Sequence, residues 1–300
     1  MSTQDTTPRT DCAIDADGRI TFRLPAPADA AGARLLLRLR PKKGRPEQTL
    51  LHLGLEPGAA DGRAHAVLEP HPALPEGRWD LYLLPEEGAE RQRLRPGLRD
   101  LRALVDGHLR DRRSPVAVRV PYVTKDGFLA LRTWLRSAHA EALTLGVEDR
   151  AITVTARLHG ARLHDTARVR LRLRGTHTVQ EVRPRIDDDG RGFSFTVDPD
   201  DLAAGAPHAG RAWDAFVRPA ADAPPVRVGR LLDDVADRKH VHVFPEVRAK
   251  GSVLRPYYTV DNDLAIEETV HSPDMPEMKK PGVSDGYFGG DPRPPCVDSV

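Results

Sequence analysis

Arg78-Trp79-Asp80, with Pro85 six residues past the tryptophan, recurs as Ala212-Trp213-Asp214 with Pro219. The spacing between the copies, from 79 to 213, is 134 residues. Leu37-Arg38-Leu39-Arg40 returns at the same spacing as Leu171-Arg172-Leu173-Arg174. Pro121-Tyr122-Val123-Thr124-Lys125-Asp126 returns 135 residues later as Pro256-Tyr257-Tyr258-Thr259-Val260-Asp261. Matches in one order at nearly constant spacing describe a repeated unit, and such a period is read before any local pattern. The Trp-Asp and Pro-Tyr-x-Thr-x-Asp matches carry the inference, because Leu-Arg-Leu-Arg alone is common in an arginine-rich chain. The repeat predicts a copy over 12–137 and another over 138–269, after a disordered 1–11 and before a tail at 270–300.

Within each copy the dominant period is two. Arg168-Val-Arg-Leu-Arg-Leu-Arg174 alternates strictly, with Val169, Leu171 and Leu173 on one face, the pattern of a half-buried strand. Phe193–Val197 and His240–Phe244 alternate in the same way. Asp17-Gly18, Asp61-Gly62, Asp126-Gly127 and Asp189-Gly190 supply turn signals between the runs. Many short strands with such punctuation predict an all-β fold, two tandem Ig-like β-sandwich domains. One helical pattern stands out: Leu98, Leu101, Leu104, Val105 and Leu109 share a helix face between Gly97 and Asp111. Its counterpart near Leu231–Ala236 is shorter, with Asp233 and Asp234 expected on its exposed side. Trp79 and Trp213 are expected to be structural core residues, dropped inward where the strand turns a corner between sheets. Tyr122 and Tyr257 are likewise expected to be structural.

The chain has 300 residues, of which 30% are charged, yet the formal net charge is only +1. Nearly balanced charge gives no general attraction to nucleic acid. No apolar run reaches the length of a membrane span, and the opening Met1–Thr10 carries no signal-peptide pattern. A soluble, cytoplasmic chain is expected. Cys12 and Cys296 are the two cysteines, too few for a disulfide framework. No phosphate-binding glycine loop, nucleophile elbow or His-Glu-x-x-His pair occurs. His240 and His242 share one strand face without a third ligand, and are read as solvent-facing. Asp261-Asn262-Asp263 is read as a turn in which Asx side chains bond their own backbone. No catalytic residue and no cofactor or metal site is expected.

From Thr269 onward prolines accumulate and large apolar residues thin out, so this tail is expected to be disordered. Tyr287, Phe288 and Cys296 are its candidate interaction residues. Arg230-Leu-Leu-Asp-Asp-Val235, followed by Arg255-Pro-Tyr-Tyr-Thr-Val-Asp-Asn-Asp-Leu-Ala-Ile266, resembles the non-catalytic β-sandwich domains attached to bacterial cell-wall glycosyltransferases and teichoic-acid-type polymerases. The resemblance implies a binding or assembly module. Its partners would be a glycosyltransferase, a second copy of itself or a glycopolymer. A carrier that presents its tail to a partner, and an unrecognised transferase, are the other two readings.

Overall fold

The computed structural model describes residues 7–270, apart from 28–31, 42, 48, 59–61, 109 and 204–209. Tyr287, Phe288 and Cys296, with the rest of the expected tail from 271, lie outside the described residues, as does Leu109. The described chain is all-β.

Its first half contributes β1 (Arg9–Ile14), β2 (Ile20–Pro25), β3 (Arg34–Leu39), β4 (Leu50–Gly54), β5 (Glu56–Pro57), β6 (Arg63–Leu68), β7 (Gly77–Leu84), β8 (Gln92–Arg93), β9 (Arg95–Asp100), β10 (Val116–Val123) and β11 (Leu129–Arg136). One sheet runs β5-β6-β2-β1-β9 and the other β10-β11-β7-β3-β4, with β8 beside β7. All ladders are antiparallel except β1–β9. Ile20, Phe22 and Leu24 from one sheet and Leu35, Leu37, Trp79, Leu81 and Leu83 from the other fill a single core. Period-two alternation is what brings these residues to one side of each strand. Trp79 is 1% exposed, and its indole nitrogen lies 3.1 Å from Thr133 Oγ1 and 3.3 Å from the Pro75 carbonyl.

The second half contributes β12 (His139–Glu148), β13 (Ala151–His159), β14 (Arg168–Leu173), β15 (Val179–Val182), β16 (Arg185–Ile186), β17 (Gly192–Val197), β18 (Arg211–Arg218), β19 (Val226–Gly229), β20 (Val247–Ala249), β21 (Ser252–Tyr258) and β22 (Leu264–Val270). The order is β16-β17-β13-β12-β19-β18-β22-β21-β20, with β14 between β15 and β18. Pairings recur between the halves. β3–β7–β11–β10 corresponds to β14–β18–β22–β21, and the parallel pair β1–β9 to β12–β19. Ile152, Val154, Val169, Leu171, Phe193, Phe195 and Trp213 lie in a second core. Trp213 is also buried, but its Nε1 has no hydrogen-bond partner among the described residues.

Three expectations are corrected. The predicted helix over 97–111 is mostly absent: 95–100 is strand β9, and only α1 (Arg102–Asp106) is helical. Leu98 is 81% exposed, so the leucine period does not report a buried stripe there. Gly97 marks a close backbone approach, because a Cβ there would collide with the Asp11 carboxylate, which accepts from the Leu98 amide at 2.7 Å. Second, His240–Phe244 forms no strand. Val241 and Val243 face solvent while His242 and Phe244 pack on the ring of Tyr258. Third, Asp233 is buried, since it pairs with Arg230 and Arg238. Only Asp234 of that pair is exposed.

Candidate functional site: arginine faces and a charged junction

Each repeated tryptophan has an aspartate as its neighbour, and alternation turns that aspartate to the opposite face of the sheet. In the β3–β7 register Arg38 stands directly opposite Asp80. Arg38 donates to Asp80 at 3.0 Å, Arg40 at 2.7 Å and Arg93 at 3.3 Å. Burial alone would raise the Asp80 pKa, but the hydrogen bonds from Arg40 and Arg38 outweigh it and hold it below the usual range. Arg38 and Arg93 lie over Tyr82, with Cζ 5.5 and 6.0 Å from the ring centre. Phe128 lies under both Arg93 and Arg95, at 4.1 and 4.6 Å.

The second half builds the same device. Arg172 stands opposite Asp214 in the β14–β18 register, and Arg174 bonds both Asp214 oxygens. Arg172 and Arg227 flank Phe216 at 5.0 and 5.3 Å. The Leu-Arg-Leu-Arg and Trp-Asp repeats are therefore one feature: leucines and tryptophan fill the core while arginines and aspartate pair outside. Tyr257 is half-buried, and its hydroxyl accepts from Arg174 at 3.3 Å. Tyr122 is also half-buried and packs against the first core. The deeply buried tyrosine of the repeated segment is Tyr258.

A second cluster joins the halves, and here the structure departs from the repeat. Trp134 donates to the Asp261 carbonyl at 3.0 Å, and Arg132 pairs with the Asp261 carboxylate. Asp263 lies 2.7 Å from Arg136 and 3.1 Å from Arg227. Burial raises its pKa despite both arginines. Between them Asn262 takes a positive φ of 60°, a region asparagine tolerates better than most residues. Its Oδ1 accepts from the Arg238 amide and its Nδ2 donates to the Val235 carbonyl, both at 3.0 Å. The Asp261–Asp263 carboxylates thus face guanidiniums.

Glu141, 3% exposed, accepts from the Leu231 and Leu232 amides at 2.7 and 3.1 Å. His139 Nε2 lies 2.7 Å from the same carboxylate. This holds 230–236 so that Leu231, Leu232 and Ala236 join the core of the first half. Beside it His159 Nδ1 accepts from the Arg112 amide at 3.2 Å, and the Gly160 amide donates to the Arg112 carbonyl at 3.1 Å. A cavity of about 650 Å³ opens at this junction, with Glu76, Arg136, Arg162, His164, Arg227 and Asp263 in its walls. The Cys12 thiol is buried and pushed up to about 12 by desolvation, which leaves it an inert core residue.

Burial, reinforced by His139, pulls the His159 pKa from 6.5 to about 4. The unfolded chain then takes up a proton between pH 6.5 and 4 that the folded chain refuses. Stability from this group is complete above pH 6.5 and falls as pH drops towards 4, by about 3 kcal/mol in all. Denaturant midpoints measured across that interval should show the slope, and His159→Asn, which keeps an acceptor for the Arg112 amide, should reduce it. An unchanged slope in the variant would assign the acid sensitivity to other groups.

No family model and no curated protein matches the sequence. Among solved structures, the chain is similar to the crystal structure of S. aureus TarS 217–571 at 14% identity and a TM-score of 0.37, covering 64% of this chain and 45% of that one. It is similar to a second S. aureus TarS structure at 13% identity and a TM-score of 0.37, covering 57% of this chain and 32% of that one. The chain spans less than half the length of either. No helix among the described residues is long and apolar enough to cross a membrane.

Proposed function

We propose that the chain is a non-catalytic binding module accessory to enzymes that build cell-surface glycopolymers. In this reading it consists of two tandem Ig-like sandwiches, 12–137 and 138–269, acting in the cytoplasm. The observation that supports it is how the convergent ionisable groups are used. Glu141 is taken up by two backbone amides and His139, His159 by the Arg112 amide, and Asp263 by two arginines. A general acid or base has to reach a substrate proton, whereas these groups hold the junction together. The outward arginine faces are what the molecule offers to a ligand.

Incubation of the purified chain with nucleotide-activated sugars and a glycopolymer acceptor tests this. The expected result is retention of the polymer with no release of nucleotide. Nucleotide release that follows the protein through purification would make the chain a transferase and overturn the reading.

A further inference from the structure

We infer that the outer face of β14, β18 and β19 is a track for a linear, non-nucleic polyanion whose charged groups repeat about every 7 Å; this rests on the binding-module reading and names its ligand class. Arg168, Arg170 and Arg172 alternate with buried Val169 and Leu171 along β14, and Arg174 follows Leu173. Residues two apart on a strand point the same way and stand about 7 Å apart. Across the ladder Arg168 is directly opposite Arg218, and Arg170 is opposite Phe216, which is itself opposite Arg227 on the far side.

Three of these six arginines are matched by carboxylates: Arg170 by Glu181, Arg174 by Asp214 and Arg227 by Asp263. Arg168, Arg172 and Arg218 form no ion pair with a described carboxylate. Among the described residues Arg168 donates only to the neighbouring Ala167 carbonyl, and Arg218 Nε is enclosed without an acceptor. Like charges directly opposite on a sheet destabilise it, so the Arg168–Arg218 pair is a cost that a bound oxyanion would remove. The face carries an excess of three guanidiniums on a chain whose formal net charge is +1. Guanidinium forks suit phosphate and carboxylate oxygens.

The aromatic residue of the face decides against nucleic acid. Single strands are gripped by stacking bases on open rings, but Phe216 is 8% exposed and its ring lies between Arg172 and Arg227. Charge and spacing remain as the recognised features.

The test uses the full chain with three probes: inorganic polyphosphate, extended poly-L-glutamate and a dT oligonucleotide of about 20 residues. Polyphosphate, poly-L-glutamate or both should bind at low salt and weaken steeply as salt rises. The arm that binds more tightly tells phosphate from carboxylate ligands. The Arg168→Ala/Arg218→Ala double variant should weaken binding at least tenfold and flatten the salt slope by about one to two. Arg23→Ala/Arg99→Ala, on exposed arginines of β2 and β9 in the other sheet of the first half, should leave both unchanged. The melting midpoint of the first variant should hold or rise. No binding of either polyanion, equal losses in the two variants, a fallen midpoint, or tighter binding of the oligonucleotide through the same arginines would each overturn the track. Undiminished polymer binding by the double variant would overturn the track alone, whereas nucleotide release overturns the binding-module reading.

Discussion

Trp79→Ala should destabilise the protein by about 3–5 kcal/mol, and Trp213→Ala by a similar amount, because each removes a large buried ring that the rigid surround cannot refill. Phenylalanine separates the two positions. Trp79 Nε1 sits near Thr133 Oγ1 and the Pro75 carbonyl, so Trp79→Phe gives up a buried hydrogen bond as well as volume. Trp213 Nε1 has no partner among the described residues to lose. Trp79→Phe should therefore cost about 1 kcal/mol more than Trp213→Phe. Denaturant melts of the four variants measure this. Losses below about 1 kcal/mol for both alanine variants would show that the rings are not core residues.

Glu141→Ala should cost about 3–5 kcal/mol, the range for removing one partner of a buried charged network. The substitution leaves the Leu231 and Leu232 amides and His139 without their acceptor. Its reach should exceed its own half. Leu231, Leu232 and Ala236 belong to the core of the first half, so releasing 230–236 also opens that core. Hydrogen exchange should quicken at the 231 and 232 amides and in β10 and β11, whose Val118, Val120 and Trp134 belong to the same core. A loss confined to β12 and β13, or a total cost under about 1 kcal/mol, would show that the segment is held by other contacts.

The strands were legible because alternation is a local property. Val169, Leu171 and Leu173 are buried, as the pattern of β14 requires. The helix over 97–111 was misread because leucines at 98, 101 and 104 also fit an exposed strand followed by one short turn of helix. What decided that segment was the parallel ladder between β9 and β1, a contact between residues far apart in the chain. His240–Phe244 failed for a related reason: alternation specifies an extended backbone with two faces, but a strand also needs a partner, and among the described residues this segment pairs with none.

The arginine faces were half legible. Leu-Arg-Leu-Arg and Trp-Asp were visible as repeats, while their union needed the register that places Arg38 opposite Asp80 and Arg172 opposite Asp214. The junction had a signal that alternation does not carry. Asn262 stands where the first copy has Gly127, and Trp134, which donates to the Asp261 carbonyl across the halves, stands where the second copy has Thr269.

The sequence by itself determined the all-β class, the alternation that sorts core from surface, and the positions of the two Trp-Asp strands. Each follows from interactions between near neighbours and from the period of the strand. Only the tertiary structure decided that Glu141 reaches the amides of Leu231 and Leu232, that Asp261 and Asp263 face Arg132 and Arg136, and that Arg168 confronts Arg218 unneutralised. Those residues are separated by as many as 129 positions along the chain, and their energies arise from desolvation and direct ion contact, which exist only once the sheets have closed.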